Sequence, residues 1–129
     1  MPRLTKKLSM WFDYPNDADG GRVEITNLDE QDTAAITAMA IVHRTVYDAG
    51  MKKPVQEQSF DHLADRQETC ARSVQSWENF FDADGQAMPC TDAAKRQWAC
   101  SNEFMAFVND CRRIVTEAAR EAVEQQIKN

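Results

Sequence analysis

The stretch "LDEQDTAAITAMAIVHRTVYDAG", residues 28–50, decides the fold class. Acids crowd its first turn, where a helix macrodipole favours negative charge, and Gly50 supplies a stop signal. Ile36, Met39, Ala40, His43, Val46 and Tyr47 recur at helical spacing. The pattern predicts one helix over 29–50. His43 falls in its apolar stripe and reads as a hydrogen-bonded core or boundary histidine, since no second metal donor is suitably spaced.

Upstream, "KLSMWFDYPNDADGGRVEITNL" alternates with period two. Leu8, Met10, Phe12 and Tyr14 take one face, and Val23 and Ile25 repeat the pattern after a turn rich in Pro, Asp and Gly. Residues 1–28 therefore read as a β-hairpin, with Trp11 on the opposite parity as a partner contact or a covered edge residue. Downstream, Ser59 is placed to cap a second helix over 60–81. Its stripe of Phe60, Leu63, Gln67, Cys70, Val74, Trp77 and Phe81 is nearly heptad. Thr91 and Asp92 open a short helix over 92–100, and Ser101 caps a last one over 102–124. The apolar face of that last helix runs through Phe104, Phe107, Val108, Cys111, Ile114, Val115, Ala118 and Ala122, and its final turns are expected to leave the core or fray. The expected fold is mainly α: a single domain over 1–129, a small helical domain of about four helices with an N-terminal β-hairpin.

Composition narrows the partners. With 129 residues, 43 % apolar and 28 % charged, the chain is globular and long enough to bury a core. A net charge of −6 and a pI near 4.9 argue against nucleic acid and anionic membrane surfaces, which need clustered Lys and Arg. No stretch approaches the roughly 20 apolar residues that span a bilayer. The N-terminal "MPRLTKKLSMWFDYP" is broken by Asp13 and Pro15 and does not read as a signal peptide. A cytoplasmic location with reduced thiols is expected.

The four letters "DADG" occur at residues 17–20 and 82–85. A calcium loop needs ligands at positions 1, 3 and 5, Gly at 6 and Glu at 12. Both stretches lack the first ligand, and position 12 is Thr26 or Thr91, so both read as turns. Cys70, Cys90, Cys100 and Cys111 lack zinc-ligand spacing and read as small buried hydrophobes. Asp61/Asp65 and Glu117/Glu121 stand four apart on helical faces, where solvated surface is the common role. No phosphate loop or nucleophile motif occurs. No enzyme, metal or cofactor is expected. The aromatic bulk of Trp77, Phe80, Phe81, Trp98 and Phe104 instead suits a groove for an apolar helix.

The run "VQSWENFFDADGQAMPCTDAAKRQWACSNEFMAFVNDC", residues 74–111, resembles small proteins of tailed-phage and prophage tail operons. In these a Trp-containing helix end is followed by an Asp/Gly turn, a "PCT" or "PFS" step, a lysine-bearing helix and a last helix. The N-terminal stretch from Phe12 to Asp32 is loosely similar to the hairpin of the same proteins. The family is that of phage tail assembly chaperones. The resemblance implies a non-catalytic protein in the cytoplasm of the bacterial host that binds the tape measure protein, with the tail tube protein as a second candidate partner. Homo-oligomers are allowed. It places the partner surface at the aromatic groove or the alanine-rich end of the last helix, with Trp77, Phe81, Trp98, Phe104 and Phe107 as candidate partner-binding residues. Two other readings stand beside it: a small adaptor or regulatory protein that homodimerises through the 60–81 stripe, and a metal-dependent hydrolase using the acids and histidines.

Overall fold

The computed structural model describes residues 6–128, with side chains through Gln125; the first five residues and the end of "EQQIKN" lie outside that range. β1 (Ser9–Asp13) and β2 (Arg22–Thr26) form an antiparallel hairpin in which Met10 faces Ile25 and Phe12 faces Val23. Alternation turns Leu8, Met10, Phe12, Tyr14, Val23 and Ile25 toward the core. Trp11 lies exposed on the other face, with the Arg22 guanidinium 5.1 Å from its ring centroid. Asn27 lengthens the pairing with its side chain. The Leu8 N–H donates to its Oδ1 at 2.9 Å, and its Nδ2 donates to the Lys6 carbonyl at 2.8 Å, so this buried amide is satisfied at both ends.

The helix expected over 29–50 stops short. α1 is Glu30–Ala40, and the chain passes without a loop into β3 (Ile41–Asp48), which pairs antiparallel with β4 (Lys53–Phe60). The helix expected over 60–81 divides likewise, into α2 (His62–Ser73) and β5 (Val74–Glu78). β5 joins β2 antiparallel, giving a sheet ordered β1-β2-β5 with a bulge at Glu24/Ile25. The fold is thus α+β, with 45 % helix and 28 % strand in two antiparallel sheets, and not mainly α. Local chemistry explains the error. Ile41, Val42, Thr45 and Val46 are β-branched, stiff at χ1 and better suited to a pleated surface than a helix interior. Both helices end on an extended residue, Ile41 or Val74, whose N–H still bonds the helix. Neither junction carries the Gly or Pro that usually marks such a stop.

The near-heptad stripe therefore never forms one helix face. Cys70, Val74 and Trp77 are buried, but the last two point from a strand, while Phe60 and Leu63 are exposed. A homodimer through a helix over 60–81 loses its physical basis. His43 sits exposed on β3 rather than in a helical stripe.

α3 (Asp92–Trp98) starts on Thr91, whose hydroxyl accepts from the Ala94 N–H, and α4 (Asn102–Lys128) follows. α4 lays Phe104, Met105, Val108, Cys111 and Val115 across the β1-β2-β5 sheet, and Ala119 is the last buried residue among its described side chains. α1 packs on α2, and α2 on α3 and α4. Cys70 and Cys111 are buried, which pushes their thiols up to about 12 and about 11; Cys90 is half-buried and Cys100 exposed.

A chain of alternating charges ties these elements. Lys7 and Arg72 both donate to Asp32, Arg72 and Arg96 both donate to Glu68 at 3.0 Å, and Arg96 also donates to Asp92 at 2.8 Å. Burial raises the Asp32 pKa, but hydrogen bonds from Lys7, the Asp29 backbone and Arg72 outweigh that and hold it at about 2. Asp29 and Asp32 also close a reciprocal capping box on α1.

The β3–β4 ribbon has no third strand. The Asp61 N–H donates to the Ala40 carbonyl at 2.7 Å, so Ile41/Phe60 is a non-hydrogen-bonded pair. By alternation Tyr47/Pro54 is another. Pro54, which has no N–H, therefore faces the open edge. Eight residues per strand give an arm about 26 Å long.

Two measurements check this account. Asp32 has a depressed pKa, so its stabilisation is complete above about pH 4 and is lost as pH falls toward about 2; with screening at its partly exposed partners it is on the order of 1 kcal/mol. Asp32→Asn should flatten the stability profile across that window in denaturant titrations. Because Ala40 and Asp61 are already bonded and Val42/Ser59 is the next hydrogen-bonded pair, replacing residues 43–58 by an Asn-Gly turn should move the Tm by less than about 5 °C in calorimetry. A larger drop would show that the arm supports the core.

Candidate functional site

Both "DADG" stretches fold as the same device. Asp17 accepts from the N–H groups of Asp19 and Gly21 at 3.0 and 2.9 Å, and Asp82 from those of Asp84 and Gln86, both at 2.9 Å. Gly20 and Gly85 take positive φ, of 70° and 78°. The Asp17 and Asp82 carboxylates thus bind their own backbone. Among the described residues no group of three or more His, Cys, Asp or Glu is placed to hold a metal ion.

What the turns do is frame an aromatic cluster. Trp77 stacks on Phe80 at 4.9 Å between centroids, and Trp98 meets Phe80 edge-on at 5.1 Å. Phe104 lies 5.4 Å from Trp98, and Tyr14 meets Phe107 edge-on at 5.0 Å. These spacings are those of favourable aromatic pairs. The Met88 carbonyl accepts from Trp77 Nε1 at 2.7 Å, while Trp98 Nε1 points at the Met88 sulfur at 3.0 Å. One residue therefore orients both indoles. Asn79 adopts φ 59° and donates to the Gly20 carbonyl at 3.1 Å, locking the end of β5 to the first turn. Gly21 is needed there: a Cβ would come within 2.4 Å of the Asp17 carboxylate and 3.2 Å of the Phe80 ring.

The five candidate partner-binding residues separate by depth. Trp77 and Phe104 are buried at 7 % and 0 % exposure and belong to the core. Trp98 and Phe107 are half-buried, and Phe81 is 39 % exposed. Phe81 and Trp98 line two neighbouring clefts. One, of about 320 Å³, continues to Tyr14, Asn79, Phe80 and the acids Asp17, Asp19 and Glu103. The other, of about 360 Å³, continues to Met88, Gln97 and Ser101. Phe107 lines neither of them.

The electrostatics of the first cleft are negative. Burial, then the charges of Glu103 and Asp17, push the Tyr14 phenol above its ordinary value. Asp19 and Glu103 add carboxylates at the rim, beside aromatic rings whose faces also attract cations. Tyr14, Asp17, Asp19 and Glu103 were not among the candidate residues. The duplicated turn was the signal that could have found two of them, since a turn beside an aromatic cluster makes a rim.

No protein-family model matches the chain, and neither a curated protein nor a solved structure is matched by it. No helix among the described residues is long and apolar enough to cross a membrane.

The depth ordering gives a stability prediction. Trp77→Ala should cost about 3–5 kcal/mol in chemical denaturation, whereas Phe81→Ala should cost less than about 1 kcal/mol. Equal losses would mean that Phe81 is a core residue and the cleft is not a free surface.

Proposed function

We propose that this protein is a non-catalytic client-binding module: a phage tail assembly chaperone that shelters an apolar helical segment of the tape measure protein before the tail tube assembles. The observation that carries the reading is the exposed aromatic wall of Phe81 and Trp98, shared by two adjoining clefts. A half-exposed aromatic held rigid by its neighbours loses little entropy on binding, which suits an interface anchor. Asp17, Asp19 and Glu103 stand at one end of the wall; at the other the one carboxylate, Asp82, accepts from the N–H groups of its own turn. A fitting segment carries apolar residues one helical turn apart with a lysine or arginine at the Tyr14–Glu103 end. The net charge of −6 keeps the free module and its complex from self-associating. The sequence resemblance over residues 74–111 supplies the client and the setting, the cytoplasm of a bacterial host. It also leaves room for the tail tube protein as a second partner.

Co-expression with a tape measure protein is the test. The client should stay in the soluble fraction and co-purify with this chain. Phe81→Asp should reduce the co-purified client at least tenfold while the variant keeps the wild-type Tm within a few degrees. A client equally soluble with and without this chain would end the proposal.

A further inference from the structure

Six of the eight described arginines are paired with carboxylates. Arg22, Arg44, Arg72, Arg96, Arg113 and Arg120 each lie within salt-bridge distance of a carboxylate. Every Asp and Glu side chain of the sequence falls among the described residues, and acids outnumber Lys and Arg by 21 to 15. Against that surplus, Arg66 and Arg112 are the described arginines without a carboxylate partner. They line the same cleft.

That cleft, of about 410 Å³, lies between α2 and α4. Arg66 enters it from α2 and Arg112 from α4, with Thr69, Asn102 and Asn109 as neutral hydrogen-bonding neighbours. Arg66 Nη2 is fully buried and has no hydrogen-bond partner among the described residues. Arg112 donates to Asn109 Oδ1 at 3.1 Å, one turn back on its own helix. Burial lowers the Arg112 pKa, with the charge of Asp65 opposing it. A guanidinium donor that is desolvated and unbonded is costly, on the order of 1–3 kcal/mol or more for a charged group. Guanidinium forks are matched best by an oxyanion, which accepts two parallel bonds.

We infer that the α2–α4 cleft is a carboxylate-binding site in which Arg66 and Arg112 supply the donors and Thr69, Asn102 and Asn109 complete the shell. Charge selects the class of ligand. Two guanidinium groups and the Asp65 carboxylate leave one net positive charge in the cleft, which a single carboxylate balances and a phosphate dianion overfills. Asp65 bonds neither arginine, so its part is to repel excess negative charge. The site shares no lining residue with the aromatic clefts and stands whether or not the chaperone reading holds.

The test is a titration of the isotope-labelled full chain at pH 7.5 and constant ionic strength, with acetate, inorganic phosphate or chloride as probe. Amide signals of Thr69, Asn102 and Asn109 should move saturably with acetate, more weakly with phosphate and not with chloride. Arg66→Gln and Arg112→Gln should each weaken acetate binding at least tenfold, and Asp65→Asn should tighten it about fivefold. A second arm sorts the source of the carboxylate. A capped tripeptide with a central glutamate is compared with an N-acetylated trialanine bearing a free C-terminus, and tighter binding than acetate by either identifies the polypeptide group recognised. Shifts that follow ionic strength alone would overturn the site and leave solvent as the partner of Arg66. Phosphate binding more tightly than acetate would overturn the carboxylate assignment. Weaker binding in Asp65→Asn would make Asp65 part of the donor network and overturn the charge argument. The comparison of acetate with chloride on the wild-type protein remains decisive should a glutamine variant fail to fold.

Discussion

Glu68 accepts from Arg72 through one oxygen and from Arg96 through the other, and those two arginines carry the network on to Asp32, Lys7 and Asp92. The carboxylate is largely buried, with a side chain 11 % exposed, so it depends on the two guanidinium groups for its hydrogen bonds, while the arginines themselves stay about one-third exposed. Removing a partner from such a set leaves a desolvated charge, the costly half of any buried ion pair. The residues before β1 and helices α1, α2 and α3 are all fixed by this one ladder. It is why α1, whose buried apolar residues are only Ile36 and Ala40, can remain docked.

With α1 and α2 clamped at their bases, the chain between them is free to leave the core. The β3–β4 arm takes that freedom, with its two strands paired to each other and Tyr47 68 % exposed. Open strand edges invite pairing with another chain, and Pro54 and Lys53 blunt the β4 edge in the manner of many natural edge strands. The aromatic cluster is the opposite kind of region. There β5, two turns and the start of α4 converge on stacked rings, with Trp77, Phe80 and Phe104 buried, Tyr14, Trp98 and Phe107 half-buried and Phe81 exposed.

The two regions proposed for binding differ in the same physical way. The Phe81–Trp98 wall is apolar surface flanked by carboxylates, Asp17, Asp19 and Glu103 in one cleft and Asp82 in the other, suited to a segment that is oily and basic. The α2–α4 cleft is polar and carries the arginines the ladder does not use. In an acidic chain, unpaired arginines stand out because partners of opposite sign are plentiful.

Period-two alternation fixed the first hairpin from sequence alone, because one face of β1 and β2 is buried and a one-residue slip would turn every apolar side chain outward. Thr91 and the two Asp/Gly turns were equally legible, since capping and turn chemistry act within a few residues, while the α4 stripe was legible only in part, with Ile114 exposed and Met105 and Ala119 buried in its stead. The switch from helix to strand at Ile41 and Val74 was not. The apolar residues of 36–47 fit a helical period as well as a strand, and no Gly or Pro marks the change. Only pairing decides it: Val74 and Trp77 become strand residues because β2 offers an open edge opposite Ile25 and Val23. The aromatic residues of the candidate site could be named from sequence, but their depth could not, because it depends on the docking of α4, which buries Phe104 against the core while Phe81 stays exposed at the turn after β5. Arg66 and Arg112 lie 46 positions apart with no local pattern between them, and the packing of α4 on α2 alone brings them to one cleft.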